Sequence, residues 1–260
     1  MKRDSVLRGC ALVCIALFVV VWLIDPVFSA DETVQFLSKS ALSRALGSLV
    51  FAFVLASLGF RVLNRPRWGH LAAVLPALLI AVNNFPILGL LRGWVWVERF
   101  EWMWLFGLDC LLIGLFEELA FRGVLFPTLL ERRRSDRRQI FFTAVISSAV
   151  FGLVHLVNLV EGAGVGATVL QVGYSFLIGG MCAIVLLKTG NLIYCILLHA
   201  IYDFGGGLIS TLGNGKLWDL PTVILTVVVS VIVVAWMLYL LWTVTPEDAA
   251  RLYPNKEGKK

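Results

Sequence analysis

Residues 221–242, PTVILTVVVSVIVVAWMLYLLW, are 22 consecutive positions without one charged side chain. As a helix rising 1.5 Å per residue they span about 33 Å, and the hydrocarbon core of a bilayer is about 30 Å thick. A core helix of a water-soluble domain is shorter and carries a polar stripe, so this stretch predicts a membrane span. Further apolar runs cover about 10–24, 41–60, 71–91, 102–127, 140–157, 169–187 and 191–212. Together they predict an all-α, polytopic bundle of about eight spans, with residues 1–260 as one membrane domain. The third run is interrupted by Pro76, Asn83-Asn84 and Pro86. Composition agrees: 59% of the 260 residues are hydrophobic and 15% charged, with a mean hydropathy of +0.88. Soluble domains carry about 25% charged residues, so both a soluble globular protein and a disordered chain are excluded.

The N-terminal Lys2, Arg3 and Arg8 before an apolar run resemble a signal peptide. Phe28-Ser29-Ala30 has a bulky residue where a cleavage site wants a small one, so an uncleaved first helix is expected. With that helix starting inside and the loops alternating, the inner segments hold 16 of the 22 Lys and Arg. The outer segments hold four: Lys39, Arg92, Arg99 and Lys216. That asymmetry predicts N-in, C-in orientation; the location expected is a bacterial inner membrane. Trp94, Trp96, Trp102 and Trp104 flank the outer start of the fourth run, and Trp236, Tyr239 and Trp242 the inner end of the last, as interfacial aromatics do. The net charge of +5 is thereby spent on orientation and lipid headgroups, and nucleic acid is not needed as a partner. Cys10, Cys14, Cys110, Cys182 and Cys195 all fall inside apolar runs, without a C-x-x-C pair, and read as small apolar fillers.

Ionisable groups inside spans are costly and mark function by default. Here they are Arg44, Asp109, Glu117, Glu118, Arg122, His155, His199 and Asp203. Arg44, near the outer end of the second run, is expected to snorkel, and Asp109 to pair with a neighbouring helix. In Glu117-Glu118-Leu-Ala-Phe-Arg122, the adjacent carboxylates project about 100° apart. Glu118 and Arg122 are an i,i+4 pair that can neutralise each other. Glu117 is left without a partner in its own helix, free to exchange a proton with a reacting group. His199 and Asp203 share a helix face at i,i+4. Glu117, His155 and His199 are all expected well inside their helices, with His155 nearer the outer face if its helix is straight; His70 is expected in a solvated basic loop. The glycines of the sixth run (Gly173, Gly179, Gly180) and Gly205-Gly206-Gly207 permit close helix approach. A convergence of carboxylates and two imidazoles is the pattern of an acid–base or metal site. A structural ion cluster would use the same residues.

The series E-E-x-x-x-R, F-x-x-x-H and H-x-x-x-[ND], in that order over about residues 110–207, resembles the CPBP intramembrane proteases. These are also called the CAAX protease, bacteriocin-processing or Abi family, and include the Ras-converting CAAX endopeptidase. The resemblance implies an endopeptidase core at 110–207 with a site sunk in the membrane and reached from the cytoplasmic side. It makes Glu117 the general base that activates a water together with His155, and His199 and Asp203 the holders of the oxyanion. Glu118 and Arg122 take supporting positions. Asp203 stands where the CAAX endopeptidases have Asn; an ionised Asp there would repel an oxyanion, so it is protonated, orients His199 or ligates a metal. The family has been described both as metal-free and as metal-dependent. Metal-free catalysis is the expectation here, and Glu117, His155 and His199 are the zinc set otherwise. The implied partners are a protein or peptide substrate and the bilayer; substrates include peptide precursors and the C-terminal tails of exported or lipid-modified proteins. Two other functions fit buried Glu, His and Asp: a proton-coupled transporter, or a non-catalytic immunity or scaffold protein of the same fold. A transporter would favour inverted repeats with matching broken helices, and the broken third run has no counterpart in the second half. A non-catalytic relative would favour altered motif positions, and all are filled.

Overall fold

The computed structural model describes residues 2–215 and 220–254. Lys216, Lys256, Lys259 and Lys260 of the charge count lie outside the described residues. Every apolar run coincides with a helical segment. The first two are α1 (Lys2–Ile24) and α2 (Glu32–Leu58). The third run divides, as its prolines foretell, into α3 (Leu71–Asn83) and α4 (Ile87–Leu91). Pro86 biases Phe85 away from the helical region, and Asn84 Nδ2 donates to the Tyr202 carbonyl at 2.7 Å across the gap. The fourth run is α5 (Met103–Glu118), a π turn (Leu119–Leu125) and α6 (Phe126–Leu130). The remaining long helices are α7 (Arg137–Val154), α8 (Val165–Thr189), α9 (Leu192–Leu212) and α10 (Leu220–Trp242), followed by the short α11 (Pro246–Ala250). Five helical segments are long and apolar enough to cross a membrane: α2, α7 with its following turn, α8, α9 and α10. The chain is therefore a helical, multi-pass membrane protein. Its outward apolar side chains, such as Val227, Val228, Val231 and Ile232 of α10, stand about half exposed, as a lipid-facing surface requires.

α8 is the centre of the bundle: Cys182, Val185, Leu186 and Leu187 have no exposed surface. It turns into α9 through Gly190, whose φ of 63° closes the helix end, and Asn191, whose side chain caps α9 by accepting from the Ile193 N–H at 2.9 Å. Asn191 also donates to the Asn64 carbonyl at 2.7 Å, tying this corner to the chain between α2 and α3.

The departure from an all-helical chain is one small ribbon. β1 (Val95–Val97) pairs antiparallel with β2 (Gly213–Gly215), Trp96 opposite Asn214. Val-Trp-Val has the β-branched and aromatic composition of a strand, and the ribbon joins the segment entering α5 to the end of α9. Those two helices carry Glu117, Glu118, His199 and Asp203, so the start of α5 and the end of α9 are pinned together. Closer in, α5 packs directly on α9 at Gly114: an added Cβ there would lie 2.9 Å from the Ile196 carbonyl oxygen and 3.2 Å from the Ala200 nitrogen. Both are backbone atoms that cannot swing aside. Gly114→Ala therefore forces the helices apart one turn from Glu117. We expect about 1–3 kcal/mol of stability lost to overpacking, read from thermal unfolding of the purified variant.

Two expectations are corrected here. Arg44 does not snorkel: α2 begins at Glu32, earlier than its apolar run, so Arg44 lies mid-helix with its guanidinium 5.2 Å from the Phe116 ring centroid on α5. His70 is buried, at 8% exposure, because its ring turns back to accept the Arg67 N–H and meets Tyr194 edge-on.

Candidate active site

The first motif sits where a regular helix widens. After Glu118 the chain makes a π turn over Leu119–Leu125, and Pro127 follows in α6. Proline has no N–H for an i→i−4 bond and its ring crowds the carbonyl four residues back, at Gly123; the wider turn absorbs both. Within it Arg122 points inward. Arg122 Nη1 donates to Glu118 Oε1 at 3.0 Å, and neither side chain is more than 1% exposed. The guanidinium lies 4.2 Å from the Phe151 ring centroid. Gly179 of α8 makes room for it: a Cβ there would be 2.9 Å from Arg122 Nη2 and 3.0 Å from Phe151.

Glu118 does more than neutralise Arg122. The same Oε1 accepts from His199 Nδ1 at 2.8 Å across the α5–α9 contact. A carboxylate already paired with Arg122 is an acceptor, so Nδ1 carries the proton and Nε2 is the nitrogen turned to the cavity. There it has two carboxylate neighbours: Asp203 Oδ2 at 3.4 Å and Glu117 Oε2 at 3.7 Å. Glu117 thus has a partner on another helix, although none on its own. The orienting role for His199 falls to Glu118; Asp203 faces the opposite ring nitrogen.

His155 is not inside its helix. α7 ends at Val154, and His155 opens a tightened 3-10 turn, His155–Leu159. A helix end leaves carbonyls without partners, and His155 Nδ1 bonds one of them, the Phe151 oxygen, at 3.0 Å. That bond places the proton on Nδ1 and leaves Nε2 as an acceptor. Phe151 stands between the two imidazoles, edge-on to His155 at 5.3 Å and to His199 at 5.9 Å between ring centroids.

Glu117, His155, His199 and Asp203 line one cavity of about 230 Å³, so the structure brings all four motif residues together. Arg44, Asn158, Gln171, Tyr174 and Tyr202 also line it, none of which stood out in the sequence as site residues. Asn158, three residues after His155, donates to Gln171 Oε1 at 2.7 Å; its helical spacing from His155 was the available signal. The cavity adjoins a wider, mostly apolar one of about 860 Å³, and the two share Arg44, Ile113, Tyr174, Ile178, Tyr202 and Asp203. Asp109 lines the wider cavity, buried, with Oδ1 unpartnered.

As a zinc set, Glu117, His155 and His199 do not fit as they stand. Among the described residues, the His, Cys, Asp or Glu group whose ligand atoms all lie within 4.8 Å of one another is Glu118, Cys182 and Cys195. Its Glu118 is already committed to Arg122 and His199.

Residues 99–205 match the family model Rce1-like, described as type II CAAX prenyl endopeptidase Rce1-like. The matched segment contains every motif residue from Glu117 to Asp203. No curated protein and no solved structure matches the chain.

Proposed function

Because residues 99–205 are a domain of the Rce1-like type II CAAX prenyl endopeptidase family, a family of proteases, we propose that the protein is an intramembrane endopeptidase working through a Glu/His-activated water. The observation that carries the reading is the shared cavity. Glu117 faces it beside two imidazoles whose outer nitrogens are each committed to an acceptor, and whose inner nitrogens are left for a reacting group.

Peptide hydrolysis needs a nucleophilic water, a holder for the oxyanion and a proton for the leaving amine. Glu117 and His155 Nε2 are both acceptors, so one water can donate one O–H to each and present its lone pair to the scissile carbonyl. As the C–O bond forms, Glu117 takes the water's proton. His199 Nε2, protonated, donates to the oxyanion, with Asp203 holding that proton in place. When the C–N bond breaks, Glu117 returns its proton to the amine, and the carboxylate is regenerated. Arg122 and Glu118 act one step back, fixing the His199 ring and its tautomer.

On this reading the eight helical segments are eight spans, N-in and C-in, in a bacterial inner membrane, and the site opens toward the cytoplasmic side. The 16-to-4 distribution of Lys and Arg supports that orientation. The substrate is the C-terminal tail of a membrane-associated, lipid-modified or exported protein. The wide apolar cavity beside the site supports it, as does the prenylated motif that the family's description names. Purified enzyme in lipid nanodiscs, treated with 1,10-phenanthroline, is expected to keep cleaving a farnesylated CAAX-type peptide at an unchanged rate. Loss of cleavage with rescue by zinc overturns the metal-free mechanism.

A further inference from the structure

Arg44 is the cation of the cavity that the hydrolytic scheme does not use. It projects from α2 about 18 Å from the helix start, at 1.5 Å per residue, and it lines both the polar cavity and the apolar one. Its guanidinium rests on the Phe116 ring at 5.2 Å. Its Nε is enclosed without a hydrogen-bond partner, and among the described residues no carboxylate forms an ion pair with it within 4.0 Å. Asp109, the acidic residue of the same wide cavity, hydrogen-bonds Ser40 of α2 and lies near enough to feel the Arg44 charge, but it keeps one oxygen unpartnered and does not close on the guanidinium to ion-pair distance. Arg122, in contrast, has its carboxylate, Glu118, at 3.0 Å. A guanidinium at membrane depth with a carboxylate nearby but none in direct contact is incompletely compensated, and its fork suits a further carboxylate.

We propose that Arg44 receives a carboxylate of the substrate, close to the scissile bond. This deepens the endopeptidase reading and rests on it. The distance follows from the cavity. A space of about 230 Å³ holds Arg44 together with Glu117, and an extended chain advances about 3.3–3.6 Å per residue. The carboxylate therefore lies within about three residues of the cleaved bond. A peptide can supply it from its C-terminus or from an Asp or Glu side chain, and the chemistry at Arg44 is the same.

The test uses full-length protein in nanodiscs and one quenched fluorogenic peptide: a farnesylated cysteine followed by three residues. It is made as the free acid, as the C-terminal amide, and as the amide with glutamate in the last position. The wild-type enzyme is expected to favour a carboxylate arm over the plain amide by about ten- to a hundredfold in kcat/KM, mostly through KM. That is the range of a hydrogen bond to a charged group. A preference for the acid assigns the C-terminus, and one for the glutamate arm assigns the side chain. In Arg44→Gln the ratio between arms falls to about one, and Arg44→Lys, which keeps the charge, retains part of it. Equal cleavage of the three arms by the wild type overturns the assignment and leaves the endopeptidase reading standing, as does a ratio that survives Arg44→Gln. Cleavage of no arm overturns both.

Discussion

Glu117→Gln is expected to abolish peptide cleavage, lowering kcat by at least about a thousandfold, the upper part of what a positioned general base contributes. The substitution keeps the shape of the side chain and its place beside His199 Nε2, 3.7 Å away in the native enzyme. It removes the one thing an amide cannot do, which is to take a proton from water and return it to the departing amine. Stability should not suffer. Glu117 belongs to no direct ion pair with an Arg or Lys among the described residues, and its side chain is 14% exposed into the cavity. Of the two carboxylates beside His199 Nε2, Asp203 at 3.4 Å remains, so removing the more distant Glu117 charge from low-dielectric surroundings costs little. An inactive enzyme with an unfolding temperature close to that of the wild type is the expected outcome, read from peptide turnover and thermal unfolding of one preparation. Wild-type turnover in this variant would remove Glu117 from the mechanism.

Glu118→Gln should damage both properties. One oxygen, Oε1, serves Arg122 at 3.0 Å and His199 at 2.8 Å, in a place with no exposed surface. The glutamine carbonyl oxygen can stand where Oε1 stood, but it is neutral, and it leaves the guanidinium with no counter-charge. Breaking a buried pair in this way costs about 3–5 kcal/mol. His199 also exchanges a carboxylate, which can only accept, for an amide that can turn its NH2 to the ring and favour the other tautomer, and removing such an orienting carboxylate costs up to about ten-thousandfold in rate. The two effects separate in a cycle. Glu118→Leu with Arg122→Met replaces the pair by apolar side chains of similar size and is expected to recover stability, while leaving His199 Nδ1 without its partner. A folded and inactive double variant supports the relay Arg122–Glu118–His199. A folded and active one assigns Glu118 and Arg122 to packing alone.

Periodicity and spacing are properties of a single helix, and what they reported was of that kind. The eight apolar runs, the break at Asn84–Pro86, and the neighbours Glu118/Arg122 and His199/Asp203 at i,i+4 were all legible, because each follows from 3.6 residues per turn or from proline's missing N–H. What spacing cannot convey is which face of one helix meets which face of another. Spacing makes Glu118 a partner of Arg122, and the family resemblance gives it a supporting position, but neither names His199, to which its contact is shorter. Arg44 was assigned to the lipid interface because the apolar run begins at 41, whereas the helix itself starts at Glu32 with polar residues that face the neighbouring segments. His155 was placed inside a helix because the apolar run continues past it, and hydrophobicity does not register where an α-helix tightens into a 3-10 turn. The ribbon of β1 and β2 is hidden for a related reason: three β-branched and aromatic residues are too few to separate a strand from an aromatic belt, and Gly-Asn-Gly carries no strand pattern. Gly114 was one small residue among many until Ile196 and Ala200 were seen against it.

The central claim is that water, activated at Glu117, hydrolyses a peptide bond in a cavity between these helices. Purified protein in nanodiscs, given a farnesylated CAAX-type peptide in water enriched in oxygen-18 and followed by mass spectrometry, tests it most directly. The account predicts two fragments whose masses sum to the peptide plus one water, with one oxygen-18 in the new carboxyl group and no fragments from Glu117→Gln. An intact peptide after prolonged incubation with wild-type enzyme, or the same fragments from Glu117→Gln, would contradict it.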